Sequence, residues 1–239
     1  MNGREKDGLA DSALLAMLQL ADSAFPTGAY TWSGGLETLI EEGVVDGPAG
    51  IAGCIRALLL GRASRGDLAA LVAAHRSVSL TPPDLDTILE IDRRLAATKL
   101  AAEERLGSCR VGRRLAAEAA RLIEESVIGA FRDAIEGGQT PGTAAVAFGV
   151  ASAALAIPEH PAAVAAAHGQ VLGLLGAAVR LGQIGHGDQQ RLLRDAHETI
   201  VRAVEIAQAV EGRSFRPFAP GLDIAMARHE VAAGRLFAS

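Results

Sequence analysis

Aromatic residues make up only 3% of the 239 residues, with a single Tyr and a single Trp. No β-branched run alternates with polar residues either, so the material for a sheet is missing. Lysine is nearly absent: Lys6 and Lys99 are the only two, and arginine carries almost all the positive charge. A phosphate-gripping loop needs Gly-rich backbone with a lysine reaching the phosphates, and neither lysine lies in one. The stretch Gly182-Gln183-Ile184-Gly185-His186-Gly187 follows a helical pattern rather than a strand and reads as a helix–helix turn. Basic surplus is lacking too. A net charge of -5 excludes the lysine- and arginine-driven binding of nucleic acid. Cysteine is scarce: Cys54 and Cys109 cannot build a disulfide framework and read as free thiols of a reducing compartment. The opening MNGREKDG has no apolar stretch of the secretory type, so the expected location is the cytoplasm. A clean membrane-spanning run is also missing. The most apolar region, residues 143–181, is broken by Pro158-Glu159-His160-Pro161 and interrupted by His168, Gln170 and Arg180, and its apolar residues are mostly Ala and Gly. It is expected to form two core helices rather than a span.

Helix punctuation, by contrast, is plentiful, and the spacing predicts an all-α, single-domain bundle of about ten helices with a C-terminal tail. Leu14, Leu15, Met17, Leu18 and Leu20 mark a first short helix, and others are expected near residues 35–42, 50–62 and 67–78. Thr81-Pro82-Pro83-Asp84 resembles an N-cap with a proline at the first helical position, followed by the stripe Leu85, Ile88, Leu89, Asp92, Leu95, Ala96. Ser126 opens and Gly137-Gly138 closes a further helix, while Thr140-Pro141 and His160-Pro161 each open another. Asp188 starts a long amphipathic helix through Leu192, Ala196, Ile200, Ala203 and Ala207 that Gly212 closes. Short connections imply antiparallel neighbours. The division expected is a helical domain over residues 1–213 and a partner-docking tail over residues 214–239. The tail has prolines at 217 and 220 and apolar residues too sparse for a core of their own.

Signatures of catalysis are missing. Trp32-Ser33-Gly34-Gly35 does not match a nucleophile elbow, and there is neither a CxxC nor an HExxH pair. His75, His160, His168, His186, His197 and His229 stand apart from one another, so no metal site is expected within one subunit. Asp92 is the most informative lone polar residue. It falls on the apolar face of its helix, where a carboxylate is costly unless paired. A buried ion pair with Arg105, Arg113 or Arg114 is the favoured reading; a catalytic carboxylate is the other.

The segment from Leu18 to Glu37, LQLADSAFPTGAYTWSGGLE, resembles the opening motif of the urease accessory protein UreF family, with Pro26, Gly28, Tyr30, Trp32, Ser33, Gly35 and Glu37 at its motif positions and Gly43 as the glycine stop. Three more blocks follow in order. These are Asp92-Arg93-Arg94 through Lys99 with Glu104-Arg105 and Gly112-Arg113; then Ala177 to Gly185 with Gln189-Gln190; and finally Pro220, Asp223-Ile224, His229-Glu230 and Arg235-Leu236-Phe237. The sequence departs from the family pattern at Gly234 and Ala238 and lacks a His-Pro signal in residues 137–149. The physical reading of the first block stands beside the resemblance. Pro26 and Gly28 shape a tight loop, and Tyr30 and Trp32 are either plugs of that loop or interface anchors, the plug being favoured. Ser33 to Glu37 looks like a capped helix start.

The resemblance implies a cytosolic, non-enzymatic, all-α accessory protein with no cofactor of its own. It implies a homodimer that binds UreD (also called UreH), recruits the GTPase UreG and serves nickel delivery to the urease apoprotein. It points to Arg180 and Gln183 as part of the GTPase-recruiting surface. Arg228, His229, Glu230, Arg235, Leu236 and Phe237 would be partner-binding residues of a tail that is loosely held until it docks. Two rivals remain: a small helical enzyme using Asp92 and His229, and a generic helical interaction module.

Overall fold

A computed structural model describes residues 9–26, 33–123, 126–211 and 214–232. Gly28, Tyr30, Trp32, Arg235, Leu236 and Phe237 lie outside the described residues. The described chain is all-α and forms one helical bundle, with no strand among the described residues. In order it runs α1 (Asp11–Ala21), α2 (Leu36–Glu41) and α3 (Gly47–Arg56), which passes directly into a π-helix (Ala57–Ala63). Then come α4 (Asp67–Val78), α5 (Leu85–Thr98), α6 (Ala102–Leu122), α7 (Val127–Glu136) and α8 (Ala144–Ala154). The chain continues with α9 (Glu159–Arg180), α10 (His186–Asp195), α11 (His197–Gln208) and α12 (Pro220–His229).

The shortage of aromatics explains how the core is made. The central helix α8, AAVAFGVASAA, packs against α4 on one side and α6 on the other. Its small residues bring backbones together: a Cβ on Gly149 would stand 2.5 Å from the Leu71 carbonyl oxygen. Around this axis Leu, Ile and Val fill the gaps, and among the described residues Phe131 is the one aromatic of the largest fully buried side chains. Tight helix spacing replaces bulk as the source of dispersion contacts.

Several expected boundaries shift, each for a local reason. The cap of α5 is Asp84, not Thr81: its carboxylate accepts from the Thr87 N–H at 2.9 Å and the Thr87 hydroxyl at 2.6 Å. Thr140-Pro141 opens nothing; α8 starts at Ala144, because Thr140, Gly142 and Thr143 are occupied by Asp92. Ser126 holds the N-cap position of α7, but its hydroxyl donates to the Ile123 carbonyl instead. The long helix expected from Asp188 is two helices, starting at His186 and turning at Ala196. That turn lets α10 face α3 and α9 while α11 faces α4, α9 and the π-helix, which one straight rod could not do. Residues 143–181 do break near Pro158, but α9 is 22 residues long and apolar enough, by length and composition, to cross a membrane. In the fold 44% of that apolar stretch is buried, against helices that include α4, α8, α10 and α11.

Candidate functional site

The site is built where the two ends of the described chain meet. Residues 214–219 run as an extended strap across the π-helix. A π-helix closes its hydrogen bonds five residues back, as Ser64 N–H does on the Leu59 carbonyl at 3.0 Å, and leaves neighbouring carbonyls free for other donors. The strap meets this segment twice: Phe218 N–H donates to the Gly61 carbonyl of the π-helix at 3.0 Å, and Arg216 N–H to the carbonyl of Arg65, in the turn that follows it, at 2.9 Å. Gly61 makes this approach possible, since a Cβ there would stand 2.4 Å from the Phe218 oxygen. The strap leads into α12, which packs on α2 and α6 with Leu222, Ala225, Met226 and His229 buried. Gly35, at φ 82°, sits under it: a Cβ at Gly35 would be 3.1 Å from both the Ala225 Cβ and the Leu222 oxygen. Residues 214–232 therefore pack on their own chain, which corrects the expectation of a loosely held tail for that stretch.

Charge holds the helix down from beneath. His229 is 1% exposed, and its Nδ1 lies 2.9 Å from Glu103 Oε2 while its Nε2 lies 3.0 Å from the buried Glu37. Each ring nitrogen thus faces a carboxylate from a different helix, Glu103 of α6 and Glu37 of α2. One helical turn and a half earlier, Asp223 pairs with the buried Arg62 of the π-helix and also accepts the Ala219 N–H at 3.2 Å, closing the start of α12. Arg62 pairs in turn with Glu104, and Glu104 with Lys99, whose Nζ stands 2.8 Å from both Glu104 and Asp67. Burial by itself would push the Lys99 ammonium down, but Asp67 and Glu104 outweigh it and hold it above the ordinary lysine value. Burial likewise works to raise Asp67, yet Lys99, with Arg62 behind it, holds that carboxyl below its usual range. Glu230 completes the ring by accepting the Glu103 N–H at 2.9 Å, at the start of α6.

Most of these partners escaped the sequence reading. Arg62 left a trace: it is an arginine set inside the apolar run Ala57-Leu58-Leu59-Leu60-Gly61, which marks a buried ion pair. Lys99 left another, as one of two lysines in the chain. Glu37 was legible only as a motif position, and its pairing across 192 residues with His229 was not.

The remaining expected residues fall in several separate places. Ser33 and Glu37 are buried in and before α2, but Ser33 caps nothing with its side chain; its carbonyl accepts the Leu36 N–H at 3.2 Å, and Gly35 is the N-cap residue. Pro26 is exposed at the edge of an open cleft of about 530 Å³ between α1 and α6, lined also by Leu18, Phe25, Glu118 and Leu122. Asp92 makes no ion pair with Arg105, Arg113 or Arg114 among the described contacts. It accepts instead from Thr140 Oγ1 (2.6 Å), Gly142 N (2.6 Å), Thr143 N (2.7 Å) and the Thr143 hydroxyl. A carboxylate with four donors needs no cation, and it ties the loop before α8 to α5. Arg105 serves the α5–α6 junction by donating to the Lys99 carbonyl at 2.8 Å. Far from the hub, Arg180 is exposed at the C-terminus of α9, and the half-buried Gln183 accepts the Gly47 N–H at 3.4 Å. Arg228 is exposed and pairs with Glu42 at 3.0 Å.

Asp92 and His229 thus sit in separate hydrogen-bonded clusters, and neither lines the cleft. Among the described residues no group of three or more His, Cys, Asp or Glu converges as a metal site.

Comparison with known proteins bears on what such a surface serves. The sequence model of the UreF family matches residues 45–197. The chain is 32% identical over 228 residues to proteins described as urease accessory protein UreF from Yersinia pseudotuberculosis (strain PB1/+), Yersinia pestis (strain Pestoides F) and Yersinia enterocolitica (serotype O:8). Each alignment spans 95% of this chain and 99% of the relative.

Proposed function

Because the chain belongs to the UreF family of urease accessory proteins, we propose that it acts as a non-catalytic scaffold that binds UreD and recruits the GTPase UreG for nickel insertion into urease. Nickel is the cargo of the assembly and the nucleotide belongs to the partner. The scaffold works in the cytoplasm as a homodimer. The observation that supports this reading best is the hub: N-proximal and C-proximal motif blocks, far apart in sequence, join to hold one surface helix in a fixed pose. On its outward side Ile224, Arg228 and Val231, at spacings of four and three, present apolar surface around a paired arginine. Ile224 is 53% and Val231 84% exposed, so both side chains are open to a partner. Residues 233–239, with Arg235, Leu236 and Phe237, continue from that face in sequence.

The docking role is tested by ending the chain after Ala232, which leaves every described contact of α12 in place. The shortened protein is expected to keep its melting temperature within about 2 °C, a shift of no more than ~1 kcal/mol for this size, and to lose co-purification with UreD. Normal capture of UreD by the shortened protein refutes the role of these residues. For UreG, the expected outcome of Arg180→Ala is a folded protein that still captures UreD and recruits UreG at least tenfold less; unchanged recruitment removes Arg180 from that surface.

A further inference from the structure

We infer that the buried ionic hub is a latch: Glu37, Glu103 and Arg62, through His229 and Asp223, fix the pose of α12, and α12 with its strap opens as a unit separate from the rest of the bundle when that pairing is broken. The inference rests on the proposed docking role only for its consequence, that these buried groups are positioning residues for the exposed face of α12.

Three observations carry it. First, the apolar hold on α12 is small. Leu222, Ala225 and Met226 are its only buried apolar side chains, to which the strap adds Phe215 and Ala219; α4 and α9 bury six and eight, α1 and α10 two and one. A short helix with that little apolar contact depends on other anchors for its place. Second, the anchors are buried charges whose partners all come from elsewhere: Glu37 from α2, Arg62 from the π-helix, Glu103 from α6. Pairs of this kind add little to net stability while both partners are present; losing one removes an anchor of α12, while Arg62 keeps Glu104 or His229 keeps Glu103. Pairing therefore decides between two poses more than it stabilises the fold. Third, the strap fits in one register only. Gly61 and Gly66 admit the Phe218 carbonyl and the Pro217 ring with no room to spare, and Gly35 admits the turn at Leu222. A slide by one residue drives a side chain into backbone, so the helix is either seated or lifted.

The groups facing His229 are Glu37 of α2 and Glu103 of α6; those facing Asp223 are Arg62 and the Ala219 N–H. Behind them, Glu104, Lys99 and Asp67 pair among themselves and with Arg62. That inner set joins α4 to α6 and the π-helix and does not touch α12, so the body of the bundle keeps its own ionic ties when α12 lifts.

The test is amide hydrogen exchange on the full chain, read helix by helix, for the native protein, Glu37→Gln and Arg228→Gln. Glu37→Gln keeps shape and removes one charge beside His229. It is expected to speed exchange at residues 222–229 at least tenfold while α4 and α8 keep their native rates. Arg228→Gln removes only the exposed pair with Glu42 and is expected to change α12 exchange less than twofold. Unchanged α12 rates in Glu37→Gln, or rates that rise together in α12, α4 and α8, overturn the latch. If Glu37→Gln does not fold, Asp223→Asn, at a half-buried position, is read against the same outcomes. A parallel capture assay with UreD is expected to show at least tenfold weaker binding for Glu37→Gln. If the native protein itself fails to capture UreD, the docking reading falls while the exchange result still decides the latch.

Discussion

Asp92 and Gly112 show how single residues set the middle of this fold. Gly112 of α6 lies against the loop that Asp92 clasps: a Cβ there would stand 2.3 Å from the Gly142 carbonyl oxygen. Gly112→Ala is expected to cost about 1–3 kcal/mol through forced separation of α6 from that loop. Asp92→Ala strands four donors, two of them backbone, and is expected to cost about 3 kcal/mol or more, with Asp92→Asn between it and the native protein. Gly169 of α9 gives the contrasting case. It is exposed, and a Cβ there meets nothing within 4 Å, so Gly169→Ala should stabilise by about 0.5–1 kcal/mol through helix propensity alone. Urea unfolding of the four variants checks the signs, and a stabilised Gly112→Ala would show the loop to be freely movable. The sequence marked Asp92 as costly to bury, since a carboxylate on an apolar helix face is visible in the periodicity. It did not mark the donors, because Thr140, Gly142 and Thr143 lie some fifty residues away in a stretch that reads equally well as a helix start.

At the scale of elements, legibility followed local chemistry. Helices with their own apolar stripes, such as α4, α5 and α7, were readable because the periodicity that defines them lies within a turn or two, although α5 alone of the three has a side-chain cap. The turn at Ala196 and the π-helix were not, since each answers to a distant partner: α10 and α11 bend to meet different faces, and the π-helix opens carbonyls for the strap. The C-terminal region suffered most. Its prolines signal a stop to the preceding helix but say nothing of the charged seat waiting on α2, α6 and the π-helix. This changes what a truncation reports. Deleting residues 221–239 removes Leu222, Ala225 and Met226 and leaves Arg62 and Glu37 without their partners on α12. That deletion is expected to lower the melting temperature by at least 5 °C, a loss of ~2 kcal/mol or more at this chain length. A melting curve that does not move would mean that α12 adds nothing to the body it covers.

For the whole molecule, the inner ionic set predicts a pH profile. The unfolded chain binds a proton at Asp67 near pH ~3.9 and releases one from Lys99 near ~10.4. In the fold Asp67 is held below its value and Lys99 above its own. Asp67 therefore contributes stability that is present above its unfolded value and lost as pH falls through the folded one. Lys99 contributes stability that is present below its unfolded value and lost as pH rises through the folded one. The contribution of this pair should be flat from about pH 5 to 9. Lys99→Met strands Asp67 while Glu104 keeps Arg62, and is expected to lose about 3 kcal/mol at pH 7 and to regain part of it toward pH 5 as Asp67 takes up a proton. Urea midpoints across that range check it, and a variant that only worsens on acidification would contradict the pairing. The wiring of the hub also has a consequence for synthesis. A ribosome delivers Glu37, Arg62 and Glu103 long before Asp223 and His229, so for most of translation these three groups face water or one another, and α2 has no cover. The bundle can collapse around α8 during that time, but the surface over Glu37 closes only after residues 214–232 have emerged. A chain that has emerged from the ribosome only as far as residue 210 would thus carry its core with one open flank, where Glu37 waits for His229.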